Sequence, residues 1–261
     1  MNRLFAIAYG VIAYCFFLVT FTYAIAFVGD LLVPKTIDSG AAASLPEALL
    51  INTALLGLFA AQHSIMARPA FKRWWTRLVP QSVERATYVL FASALLALLL
   101  WQWRPIPATV WAANDPIAVT ALEIVFWLGW ALVLVSTFLI NHFELFGLAQ
   151  VVAFFRGRKP TRPVFRTPSL YRWVRHPLYL GFLLAFWAAP VMSAGHLLFA
   201  IATTGYILLG IFLEERDLIA EFGDQYRRYR ATVGMLVPTP WRRASTRTSS
   251  TSASAMRDRS A

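Results

Sequence analysis

Apolar residues occupy this chain in long blocks separated by short polar segments. Leu4–Val28, Ala48–Met66, a stretch from Glu84-Arg85 to about Trp103, and Ile117–Ile140 each match the roughly 20 apolar residues that cross a bilayer as a helix. A fifth block, Leu178–Leu213, contains no charged residue and is too long for one crossing. Pro190 and Gly195 near its middle break helical continuity, which predicts two helices folded back on each other with their polar ends together. From Glu215 to about Val237, Leu218, Phe222, Tyr226 and Tyr229 recur at spacings of three or four, so they predict one face of a helix lying on the membrane surface.

The pattern predicts an all-α polytopic membrane protein. It has four full transmembrane helices, a C-terminal helical hairpin (five or six passes, depending on how the hairpin is scored) and a cytoplasmic amphipathic helix. Residues 1–241 form the membrane domain. Residues 242–261 are a Ser/Thr/Arg-rich tail with too little apolar surface to fold.

Composition sharpens the picture. Of 261 residues, 58% are hydrophobic and 14% charged, against about a quarter charged in a soluble domain. The net charge of +11 reflects Lys and Arg gathered in the 67–85 and 141–177 loops and the C-terminal segment, so it reads as positive-inside bias, not nucleic-acid binding. That bias puts both termini in the cytoplasm. Trp74 and Trp75 read as headgroup anchors, and Trp101 and Trp103 as markers of the far interface. The single cysteine, Cys15, excludes an internal disulfide and reads as a small core hydrophobe.

Under this topology the chemistry-bearing residues share one membrane face. Gln62, His63 and Arg68 end the second span, Glu84 and Arg85 open the third, and Asn141, His142 and Glu144 close the fourth. Arg175, His176 and Tyr179 open the hairpin, and Glu214, Glu215 and Asp217 close it. Polar groups near a bilayer tend to face a bundle interior or a wet cavity. Pro177 starts a helix and holds His176 at its N-terminus, where an anion is favoured. Glu214 and Glu215 are expected at a helix C-terminus, where the macrodipole disfavours them, so they call for a cation: Arg175 or a cationic ligand. The histidines lack helical metal-ligand spacing, and there is no Gly-rich phosphate loop.

Arg175-His176-Pro177-Leu178-Tyr179-x-Gly181, then Glu214-Glu215, then Phe222-Gly223-x-x-Tyr226-x-x-Tyr229 resembles the C-terminal signature of the isoprenylcysteine carboxyl methyltransferase-like membrane enzymes. Residues 33–40, Gln62–Pro69 and Asn141–Gly147 resemble, more narrowly, the bacterial methanethiol S-methyltransferases of the nurim-like family, a likeness that runs to about Pro240.

The resemblance implies S-adenosylmethionine bound between Arg175, His176, Pro177, Tyr179 and Gly181 on one side and Glu214 and Glu215 on the other, and a small thiol acceptor. One of the two carboxylates would face the sulfonium, Arg175 and His176 the donor's carboxylate. His63 and His142 are candidates for the base that takes the thiol proton, with Arg68 supplying a positive field. The expected partners are this thiol and the lipid bilayer, without nucleic acid and with no obligate protein partner evident. Competing readings are the same fold with another acceptor, a non-catalytic nurim-type scaffold, and a transporter with a broken helix near the midplane.

Overall fold

A computed structural model describes residues 2–158 and 165–238. Lys159, Arg162 and the tail from Arg242 lie outside the described residues. Five helices are long and apolar enough to cross a membrane: α1 (Arg3–Val28), α2 (Leu45–Ala67), α4 (Glu84–Gln102), α5 (Pro116–Ile140) and α9 (Ala194–Phe222). Shorter elements are α3 (Pro69–Trp75), α6 (His142–Leu145), α7 (Leu148–Phe155), α8 (Pro177–Trp187) and α10 (Asp224–Thr232), with two strands, β1 (Thr109–Ala112) and β2 (Val191–Ser193). The chain is an integral membrane protein, helical but for this small sheet.

The hairpin consists of two helices, α8 and α9. α8 has 11 residues, or roughly 16 Å at 1.5 Å per residue, about half the hydrocarbon thickness. An extended segment follows it. β2 pairs antiparallel with β1, which belongs to the α4–α5 connection at the far face. Trp111 donates its indole N–H to the Ala189 carbonyl at 3.1 Å, and the Gly195 amide donates to Ile106 O at 3.0 Å. Backbone polar groups left free where the helix stops are thus met by protein, as a membrane interior demands.

α8 docks on α5 through glycine. A Cβ on Gly181 would sit 2.6 Å from the Gly129 carbonyl, and one on Gly129 would sit 2.7 Å from Gly181 O. Only two side-chain-free surfaces allow this approach. The core beside it is aromatic: Trp130 meets Phe21, Phe126, Phe182 and Phe186 at ring separations of 5.5–6.1 Å.

Several expectations need correction. The last membrane helix does not stop at Leu213. α9 runs through Glu214–Asp217 to Phe222 because Leu218 and Ile219 continue its apolar pattern, and it is capped by Gly223 at φ 55°. Glu214 and Glu215 therefore lie within a helix, two turns from its end, and the macrodipole argument does not apply. The amphipathic surface helix is correspondingly shorter, α10 alone. Within the 146–172 loop sits α7, whose Val151 is fully buried against Gly10 of α1. Trp103 is fully buried and donates to Ile37 O at 3.1 Å, so it braces the far end of the bundle from inside instead of marking an interface. Cys15 is exposed on α1, outside the core.

Candidate active site

Successive residues of a helix point about 100° apart, and this separates the two adjacent carboxylates of α9. Glu215 faces inward to two arginines and a histidine. Its Oε1 accepts from Arg175 Nε at 2.8 Å and lies 3.1 Å from His176 Nε2, while Arg230 Nη1 stands 3.6 Å from Oε2. Arg175 also donates from Nη1 to Arg230 O and Val233 O. The chain after α10 returns to lie beside this cluster: the Arg175 amide donates to Gly234 O at 2.8 Å and the His176 amide to Met235 O at 3.1 Å. Arg175, His176 and Glu215 thus lock the start of α8 to α9, α10 and the C-terminal segment.

Glu214 is placed differently. Tyr179 of α8 donates its phenol to Glu214 Oε2 at 2.9 Å. Among the described residues, Glu214 forms no ion pair. On α9 it stands in a row with Tyr206 and Gly210, spaced four residues apart and therefore on one face. A Cβ at Gly210 would meet only the Tyr179 hydroxyl within 4 Å, at 3.9 Å.

The same flank of α9 meets α2. Ser64 Oγ lies 3.4 Å from the Tyr206 hydroxyl, and Arg68 Nη1 pairs with Asp217 Oδ2 at 2.8 Å. His63 packs among rings, stacked on Phe59 at 5.4 Å, tilted to Tyr88 of α4 at 5.1 Å and edge-on to Tyr206 at 6.3 Å. The Arg85 guanidinium covers the other part of Tyr88, 5.0 Å from its ring centre, and donates Nε to Leu145 O at 2.9 Å. Buried in this neighbourhood, His63 Nδ1 and Gln62 Oε1 have no hydrogen-bond partner among the described residues.

His142 is not brought into this group. Its Nε2 lies 2.7 Å from the Tyr14 hydroxyl and its Nδ1 2.8 Å from Thr137 Oγ1. Phe138 stacks on it at 4.3 Å, with Phe143 and Phe146 around the edge. Both nitrogens are engaged, and desolvation in this ring cage holds its pKa below the ordinary histidine value. Pro177 begins α8, and Gly181 serves the α5 contact.

Around the carboxylates the phenols stay protonated. Burial, with the Glu214 charge adding to it, raises Tyr171 above its ordinary range; burial and the Glu215 charge do the same to Tyr226. Tyr229 is pushed up to about 12 by burial. The Tyr226 hydroxyl is buried and lacks a partner among the described residues, while the buried Tyr171 hydroxyl lies beside Ser136. Phe165 gathers Phe222, Tyr226 and Tyr229 at 5.4–5.9 Å, so the aromatic stripe converges although Gly223 divides it between two helices.

The donor set suits S-adenosylmethionine. It offers one carboxylate without a counter-cation for a sulfonium, a buried phenol without a partner among the described residues as a hydrogen-bonding group, and aromatic surface for a base. Among the described residues no three His, Cys, Asp or Glu side chains cluster in a way that could hold a metal ion. Tyr88, Tyr171, Tyr206 and Gly210 escaped sequence reasoning. The four-residue spacing of Tyr206, Gly210 and Glu214 was the signal that could have found the last two.

The NnrU protein family matches residues 51–233. The chain is 59% identical to the methanethiol S-methyltransferase of Mycobacterium tuberculosis, covering 93% of this chain and 99% of that one. It is 58% identical to methanethiol S-methyltransferase 1 of Bradyrhizobium diazoefficiens, over 93% of this chain and 84% of that one. Nurim of Sus scrofa is 29% identical over 63% of this chain and 65% of its own length. No solved structure matches the chain. From α2 through α10 the match takes in both carboxylates and the segment that locks them, and the chain belongs to the NnrU protein family.

Proposed function

We propose that this chain methylates methanethiol to dimethyl sulfide with S-adenosylmethionine as methyl donor, at the cytoplasmic face of a bacterial inner membrane. The substrate follows its relatives at 51–59% identity. The observation that carries the site assignment is the split between Glu215, ion-paired with Arg175 and Arg230 and in contact with His176, and Glu214, whose hydrogen-bond partner among the described residues is the Tyr179 phenol.

Glu214 faces the positive sulfonium. Tyr179 fixes that carboxylate by its hydrogen bond, and Tyr226, whose buried hydroxyl has no partner among the described residues, would bind the donor, with Tyr171 beside it. Arg175, His176, Pro177 and Gly181 act by holding α8 against its neighbours. When bound, the donor supplies a sulfonium methyl: the acceptor sulfur forms a bond to that carbon as the old C–S bond breaks and its electron pair returns to the donor sulfur. An alkyl thiol is mostly protonated at neutral pH, as cysteine with a pKa of about 8.5 is. His63 takes the proton at Nδ1, which is buried and has no hydrogen-bond partner among the described residues. His142, with both nitrogens engaged, positions α1, α5 and α6 instead. Arg68, paired with Asp217, holds α2 to α9 beside the acceptor. In this arrangement alignment of the acceptor with the methyl group supplies much of the rate.

The test is purified protein with methanethiol, assayed for dimethyl sulfide with and without S-adenosylmethionine. Donor-dependent product that is lost in His63→Asn supports the assignment. Donor binding without product from methanethiol redirects it to other acceptors, and absence of both favours a scaffold.

A further inference from the structure

α9 carries three glycines in its span, Gly195, Gly205 and Gly210, and their surroundings differ. Gly195 packs tightly, 3.0 Å from the Ile106 amide, at the far end. Gly205 is exposed, with nothing within 4 Å of a Cβ, on the face turned away from the bundle. Gly210 is partly covered, and its missing side chain opens on the Tyr179 hydroxyl alone. A glycine inside a helix is unfavourable relative to alanine, so one kept on a lined flank indicates that space is needed there.

The lining of that space is mixed in a useful way. Tyr206 stands one turn above, Glu214 one turn below, and Tyr179 opposite. Beyond Tyr206 come Phe59, His63 and Tyr88, with His63 Nδ1 buried and unpartnered. Tyr206, Gly210, Glu214 and Asp217 are all only half-buried, as are Phe59 and His63 of α2 across from them. The lining is largely aromatic, with the His63 nitrogen, the Tyr179 and Tyr206 hydroxyls and the Glu214 carboxylate among its polar points.

We infer that the notch at Gly210 is the acceptor subsite and that Tyr206 is the residue that limits acceptor size to a thiol of one or two carbons. The inference rests on the methyl-transfer reading above and deepens it. A small alkyl thiol fits the lining: its carbon end lies against aromatic rings, its S–H is within the neighbourhood of His63, and its sulfur faces the side of Glu214 where the methyl group is held. Restoring a side chain at Gly210 fills the position of the thiol. Shortening Tyr206 lengthens the slot along α9 toward Phe59.

The experiment compares wild type, Gly210→Ala, Gly210→Val, Tyr206→Ala and the outward-facing control Gly205→Val, with methanethiol, ethanethiol and 1-butanethiol as acceptors. S-adenosylmethionine binding is measured separately for each variant. One methylene more or less in an apolar pocket changes kcat/KM by about 10–200-fold. Gly210→Val is expected to lose at least about tenfold in kcat/KM for methanethiol while binding S-adenosylmethionine within about twofold of wild type. Gly210→Ala is expected to reduce ethanethiol turnover more than methanethiol turnover. Tyr206→Ala is expected to raise the 1-butanethiol to methanethiol ratio at least about tenfold, and Gly205→Val to change neither quantity. The subsite is overturned if Gly210→Val keeps wild-type kcat/KM, if it loses donor binding along with turnover, or if Tyr206→Ala leaves the ratio unchanged. A wild-type chain that methylates no thiol overturns the subsite and the underlying reading together; wild-type activity with unmoved variants overturns only the subsite.

Discussion

The Tyr179 phenol donates to Glu214 across 2.9 Å while the neighbouring carboxylate, Glu215, turns away to Arg175 and His176. A one-residue step along α9 thus separates a carboxylate saturated by cations from one that forms no ion pair among the described residues. The difference is testable because it assigns opposite consequences to two chemically identical substitutions.

Glu215→Gln is expected to act on stability. Its carboxylate and the Arg175 and His176 side chains are almost wholly buried, and removing one member of a buried charge cluster costs about 3 kcal/mol or more because the partners remain desolvated. Thermal unfolding in detergent checks this, with a large drop in Tm expected. Glu214→Gln is expected to keep Tm near wild type and to lower methyl transfer on the order of 100-fold, as loss of a charge aimed at the reacting centre does.

Tyr179→Phe tests the hydrogen bond alone. The ring stays packed against His176 at 5.6 Å, so only the donated hydrogen bond to the carboxylate is lost. A loss of about 1.5–3 kcal/mol is expected for a hydrogen bond to a charged group, read as weaker S-adenosylmethionine binding in calorimetry. Unchanged donor affinity would show that the phenol does not fix Glu214 for the donor.

Much of this architecture is legible in the apolar pattern. Four spans begin and end within a few residues of the blocks that suggested them, and the Arg175–Tyr179 and Glu214–Glu215 segments meet. What the pattern hides has physical causes. Reading an apolar block stops at the first charge, but α9 continues through Glu214–Asp217 because Glu215 and Asp217 have ionic partners and Leu218 and Ile219 keep the helix amphipathic. The hairpin of two helices is as expected, but α8 ends early, at Trp187, where an extended segment takes over. Tyr206 and Gly210 are invisible because uncharged residues inside an apolar run do not stand out until α2 and α8 are placed beside them. His142 carries the chemistry of a base, but Tyr14 and Thr137, distant in sequence or outwardly ordinary, occupy its nitrogens.

Gly181→Ala is expected to undo the α5–α8 contact. The new methyl group would meet Gly129 O at 2.6 Å, a backbone atom that cannot move aside, and overpacking of this kind costs about 1–3 kcal/mol. Lowered Tm together with lost activity is the expected outcome, whereas Gly57→Ala on α2, where nothing lies within 4 Å, leaves both unchanged.

His142 gives a pH dependence with a defined sign. Burial depresses its pKa in the folded protein below the ordinary 6.5, so the unfolded chain takes up a proton at a pH where the folded chain does not. Its contribution to stability is complete above pH 6.5 and is lost as pH falls below that value toward the folded pKa. Tm measured from pH 8 to pH 5 is expected to decline below about pH 6.5 in wild type and to decline less in His142→Asn. Equal slopes would place the acid sensitivity elsewhere.

The most direct test of the central claim follows the methyl group itself. Wild type and Glu214→Gln, both purified and shown to be folded, are given S-adenosylmethionine labelled in its methyl carbon together with methanethiol, and labelled dimethyl sulfide is measured in the headspace. The account predicts labelled product from wild type and a rate lower on the order of 100-fold from Glu214→Gln. Absence of label in the wild-type product, or equal rates from the two proteins, would contradict it.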